Sequence, residues 1–199
     1  MKPGFLHGTF YFEGVRFLMQ KQTHLYRLVL TAVLLAVGFV LPYLTGQIPA
    51  IGKVVSPLHI PVLIAGLTCG PVYGAALGAA LPLLRGMILG MPRLMPTAVA
   101  MAFEMAGYGL MTGLMYALLR RSIPVKNHLP AMLGALVIAM AAGRCLGGAA
   151  MAVLLGGQYT FAAFVAAYFT GTAVGAVIHL ILVPAVVTAL EKARLSPLG

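Results

Sequence analysis

The chain has 199 residues, of which 61% are hydrophobic and 8% charged, and a formal net charge of +10. A soluble domain carries about 25% charged residues, so this composition leaves too little polar surface to face water and excludes a soluble fold. The long apolar runs do not alternate as the roughly ten-residue strands of a membrane barrel would, so the chain reads as an all-α integral membrane protein.

The first 24 residues form an N-terminal cytoplasmic or interfacial segment. Met1 to Gln20 contains Lys2, Glu13 and Arg16 and has no apolar core long enough for a cleavable signal. Phe5, Phe10, Tyr11, Phe12 and Phe17 suit the headgroup region. Met19 is an alternative start.

Residues 25–194 form a membrane domain of six helical spans, each needing roughly twenty apolar residues. The first runs from Leu25 to Leu44 and is followed by a loop, Thr45 to Val55, with Gly46, Pro49 and Gly52. The second starts at Pro57 and ends at the turn signal Gly70-Pro71. The third covers Val72 to Leu89, and a proline-rich loop, Gly90 to Pro96, follows. The fourth covers Thr97 to Leu119 and ends in a basic loop, Arg120 to His128. The fifth runs from Pro130 to Leu155 and the sixth from Phe161 to Leu190, with Gly156 to Thr160 between them. Residues 195–199 are a C-terminal tail.

Six spans place both termini on one side. That side holds Lys2, Arg16, Lys21, Arg27, Arg120, Arg121, Lys126, Lys192 and Arg194, against Lys53, Arg85 and Arg93 on the other. Positive residues stay inside, so both termini are cytoplasmic. Topology thus accounts for the excess charge, and no nucleic-acid partner is needed. Cys69 and Cys145 lie in apolar segments without metal-ligand spacing and read as small buried residues, so no metal or other cofactor is expected.

Small residues recur at four-residue spacing, which lets backbones approach closely in lipid. Gly66, Gly70, Gly74 and Gly78 read as packing within the chain. Ala32 and Ala36 either pack internally or dock another subunit.

Ionisable groups inside a membrane are costly, and each is a functional candidate. Glu104 lies about 10 Å and Arg144 about 16 Å from the outer face, by the helical rise. They either form a structural ion pair or present Arg144, oriented by Glu104, to an anionic ligand. Arg85 and Arg93 either snorkel to headgroups or contact ligand. His59 either caps its helix or contacts ligand. Gln158 and Tyr159 complete the outer cluster. His179 falls toward the cytoplasmic end of the sixth span and reads as packing away from that cluster. Tyr43, Tyr108, Tyr159 and Tyr168 are interface aromatics or pocket walls.

Enzymatic readings fail on inventory. The serines, Ser56, Ser122 and Ser196, lie at loops or ends, and the acids Glu13, Glu104 and Glu191 are too scattered for a metal-dependent transferase. No Gly-rich loop ends in Gly-Lys-Ser/Thr, so the chain does not hydrolyse ATP itself.

From Tyr26 to Arg194 the chain resembles the substrate-binding S component of an energy-coupling factor (ECF) vitamin transporter. The resemblance rests on Ser56-Pro57-Leu58-His59-Ile60-Pro61 and the apolar run after it, on Gly70-Pro71-Val72-Tyr73-Gly74, and on Gly90-Met91-Pro92 with Met95-Pro96-Thr97-Ala98. It implies an S-component-like bundle in the bacterial cell membrane that captures a vitamin at the outer face. It also implies partners: a transmembrane coupling subunit carrying two cytoplasmic ATPase subunits, on which the protein docks and topples to release its ligand. Ala32 and Ala36 match the alanine motif of that docking face, and residues 45–55 would be the lid. The positive cluster of Lys53, Arg85, Arg93 and Arg144 against Glu104 points to a carboxylate vitamin such as pantothenate. A stand-alone secondary transporter with Glu104 as its proton or cation site is the alternative.

Overall fold

A computed structural model describes residues 5–44, 56–122 and 128–193. The expected lid, residues 45–55, and the tail, 195–199, lie outside the described residues. Helix α1 runs Phe5–Leu44, α2 His59–Cys69, α3 Pro71–Leu89, α4 Val99–Ser122 and α5 Leu129–Leu155. The last span is interrupted: α6 is Phe161–Val165, a π turn covers Ala166–Thr170, and α7 is Ala173–Lys192. Among the described residues there is no strand.

Five stretches are long and apolar enough to cross a membrane, and they agree with the expected first, third, fourth, fifth and sixth spans. The second differs. Helix α2 has eleven residues, about 16 Å at the helical rise, or half of an about 30 Å hydrocarbon core. Every residue of α2 is buried, so it plugs the bundle from within and does not face lipid. Its short length follows from its flanks. Ser56 and the Pro57-Leu58 turn precede it, with Ser56 and Pro57 carbonyls receiving the first amides at 3.1 and 3.3 Å. Pro61 is tolerated in the first turn, where amides have no intrahelical acceptor. Gly70, at φ 102°, ends the helix and Pro71 starts the next.

Helix α4 is the centre of the bundle, with the α2–α3 hairpin on one side and α5 on the other. The contact with the hairpin is backbone on backbone. A Cβ at Gly66 or Gly74 would sit 2.7 or 2.8 Å from the Gly109 carbonyl oxygen, and one at Gly78 would overlap the Met105 backbone. Gly66, Gly74 and Gly78 thus lie at internal crossings, while Gly70 makes the turn. Leu63, Leu67, Leu81, Met105, Met132 and Leu136 fill the space between the helices.

Helix α1 continues without a break across the boundary expected at residue 24. Its membrane portion lies on the outside of the bundle, with Leu34 and Gly38 turned inward. Two polar contacts fix it to α3. His24 Nδ1 meets the Tyr73 hydroxyl at 3.1 Å, and the Arg85 guanidinium donates to the Phe39 carbonyl at 2.7 Å, one turn before Pro42. Ala32 and Ala36 fall on the exposed face among Val29, Val33 and Val37.

Candidate functional site

His59 opens α2, so the short plug helix ends in a buried imidazole. Its Nδ1 lies 3.1 Å from the Ser56 carbonyl oxygen, which can only accept, so Nδ1 carries the proton. In the neutral ring Nε2 is therefore an acceptor. It is buried without a hydrogen-bond partner and lies 3.7 Å from Glu104 Oε1. The two face each other across a gap longer than a hydrogen bond. A ligand N–H or O–H placed there would satisfy the open nitrogen of the neutral ring.

Glu104 is only 7% exposed and projects from α4. Tyr108, four residues later and thus on the same helix face, donates its hydroxyl to Oε1 at 2.8 Å. The Tyr108 ring stands 5.0 Å from the His59 ring, and the His179 ring 5.8 Å from His59 on another side. Helix α5 makes room by omission. Side chains at Gly143 and Gly147 would collide with Tyr108 and with Glu104 and Tyr168. The glycine pair on α5 is thus what admits a carboxylate and two phenols between α4 and α5.

Arg144 sits beside this glycine pair, half-buried, with its guanidinium carbon 5.5 Å from the centre of the Phe169 ring. Its Nε is buried without a partner, and its charge acts on Tyr108. Of the two readings left open for Glu104 and Arg144, no ion pair between them within 4 Å is seen among the described residues. The carboxylate faces His59 and accepts from Tyr108, on whose phenol Arg144 also acts. Phe164 continues the aromatic wall, 5.5 Å from Tyr168 and 5.6 Å from Phe169 between ring centres.

Tyr159, in the connection before α6, borders a cavity of about 380 Å³ with Cys145, Gly148, Phe161 and Phe164. Its phenol is pushed above the usual range by burial first and by the Glu104 carboxylate second, so it stays a protonated donor. The structure therefore brings His59 and Glu104 together, with Arg144 acting on their neighbour Tyr108 and Tyr159 within electrostatic reach of Glu104. It does not bring the other three candidates to them. Arg85 is turned to α1, against the Phe39 carbonyl and 5.7 Å from the Tyr43 ring. The Arg93 and Gln158 side chains are exposed.

His179 is a correction. It is buried against His59 and belongs to this cluster rather than to a remote packing site. Depth counted at 1.5 Å per residue misplaces His179. The last span spends residues on a π turn and on Thr172, whose backbone (φ −119°, ψ 11°) is not helical. Tyr108 had a visible signal, its four-residue spacing from Glu104. Gly143 and Gly147 had one too, a small-residue pair on the helix that carries Arg144. Among the described residues no group of His, Cys, Asp and Glu could hold a metal ion.

Over residues 26–192 the chain matches the family described as "ECF transporter, substrate-specific component". No curated protein and no solved structure matches it.

Proposed function

The chain belongs to the substrate-specific components of ECF transporters, and from that premise we propose that it captures a carboxylate-bearing vitamin in the cluster of His59, Glu104, Tyr108 and Arg144. As a member of that family it is a multi-pass membrane subunit that binds a small-molecule substrate and works with transmembrane and ATPase modules. The finer reading rests on one observation: His59 Nε2 is buried without a hydrogen-bond partner, 3.7 Å from the Glu104 carboxylate. Buried polar groups are costly unless satisfied, so this nitrogen calls for a ligand group that can hydrogen-bond to it beside the carboxylate. Arg144, with a buried Nε and a face on Phe169, supplies the counterpart for a carboxylate. Pantothenate has both kinds of group and is the first compound to test. The bacterial cell membrane is the location this family assignment favours.

A thermal-shift screen of the purified protein against water-soluble vitamins tests this. The expected result is stabilisation by a carboxylate vitamin, lost in Arg144→Ala and kept in Lys192→Ala, whose side chain is exposed at the far end of α7. Stabilisation by no vitamin, or equal loss in both variants, would refute the assignment.

Docking on the coupling subunit through the exposed Ala32–Ala36 face gives a separate expectation. Ala32→Leu with Ala36→Leu overfills a close helix contact, and overpacking of about 1–3 kcal/mol corresponds to uptake reduced about ten-fold or more. Vitamin binding by the isolated subunit stays unchanged, since both alanines point away from the bundle. Uptake at the wild-type rate would show that this face is not the docking face.

A further inference from the structure

A second cavity, of about 450 Å³, lies at the opposite end of the bundle, independent of the vitamin site. Arg27 of α1, Arg120 and Arg121 of α4, Tyr116 and the Gly70-Pro71 turn line it. Its size falls within the about 300–1,000 Å³ of small-ligand sites. The three arginines come from two helices that are far apart in sequence, so only the fold assembles them.

The cavity has built features beyond surface charge. Arg27 is half-buried near the start of the apolar portion of α1, and its Nε is shielded from water without a hydrogen-bond partner. It is held over the turn by the neighbouring His24–Tyr73 contact. Tyr116 is buried, with Arg120 and Glu191 both acting on its hydroxyl. Glu191, in the last turn of α7, reaches this region through Tyr116, so three guanidinium groups and one carboxylate gather here. At Gly113 a side chain would strike the Pro71 nitrogen, so the floor is bare backbone.

We propose that this pocket holds the phosphate of an anionic phospholipid from the leaflet on the basic, cytoplasmic side. Three guanidinium forks match the several oxygens of a phosphate better than the two of a carboxylate. Basic pockets between membrane helices on this side are suited to anionic headgroups. The flanking walls are apolar: α1 exposes Leu25, Leu28 and Val29 near Arg27, and α4 exposes Leu114 and Leu118 near Arg120, which leaves surface for acyl chains. A lipid seated there would tie α1, the outermost helix, to the end of the central helix α4.

The test is native mass spectrometry and thermal unfolding of the full chain with phosphatidylglycerol, with phosphatidylcholine or with inorganic phosphate. Phosphatidylglycerol is expected to remain bound and to raise Tm, while phosphatidylcholine does neither. Arg27→Gln combined with Arg121→Gln is expected to weaken phosphatidylglycerol retention about 30-fold. Lys192→Gln, on the same face but outside the pocket, leaves it unchanged. Equal retention of the two lipids by the wild-type protein overturns the proposal whether or not the double variant folds. Equal loss in Lys192→Gln overturns it in favour of diffuse surface charge. Inorganic phosphate giving the full Tm shift would identify a free-anion site and overturn the lipid assignment. None of these outcomes depends on the vitamin site.

Discussion

Replacing Glu104 with alanine is expected to weaken vitamin capture about 100-fold or more, and replacing it with glutamine about 30-fold. The two substitutions separate structure from binding. In Glu104→Ala the Tyr108 hydroxyl loses its acceptor in a buried place, which costs about 1–3 kcal/mol of stability. In Glu104→Gln an amide oxygen can still accept from Tyr108, so Tm stays near the wild-type value. What the amide lacks is the negative charge. A hydrogen bond to a charged group contributes about 1.5–3 kcal/mol, and about 2 kcal/mol is the 30-fold expected. Titration of the vitamin identified by the screen, together with Tm, checks both. Wild-type affinity in Glu104→Gln would reduce Glu104 to a partner of Tyr108 and remove it from the site.

Gly109→Ala is expected to cost about 3 kcal/mol or more of stability, and Gly109→Leu to prevent accumulation of folded protein. Gly109 is where α4 meets α3 most closely: a Cβ there would overlap the Gly74 backbone. Overpacking a core typically costs about 1–3 kcal/mol when flexible side chains can yield. Here the obstacle is main chain held in two helices, so the helices themselves must separate. Domain stabilities are about 5–15 kcal/mol, which makes such a displacement a large fraction of the total. Gly157 provides the contrast. Nothing lies within 4 Å of a Cβ there, so Gly157→Ala is expected to be neutral. Yield and thermal stability by size-exclusion chromatography measure both. A wild-type Tm for Gly109→Ala would contradict so close an α3–α4 crossing.

The membrane class and five of the spans were legible because lipid imposes a length and a composition that few other constraints mimic. The chain also displays its family in short stretches such as Ser56 to Pro61 and the Gly70-Pro71 turn. Glu104 and Arg144 stood out because a charge in an apolar run is rare. Their partners did not stand out. Whether Glu104 meets Arg144 or His59 depends on how far α4 and α5 approach, and this is set by glycines 143 and 147 against Tyr108 and Glu104.

The sequence by itself determined that this chain is a helical membrane protein of the S-component type, because hydropathy, turn residues and the distribution of Lys and Arg act locally and can be read one segment at a time. Only the tertiary structure decided what the polar residues do. It sank His59 into the bundle on a half-length helix, brought His179 beside it across a distorted last span, and turned Arg85 away to the Phe39 carbonyl. The physical reason is that depth and facing in a bundle depend on helix breaks and backbone crossings, and neither follows from counting residues along a regular helix.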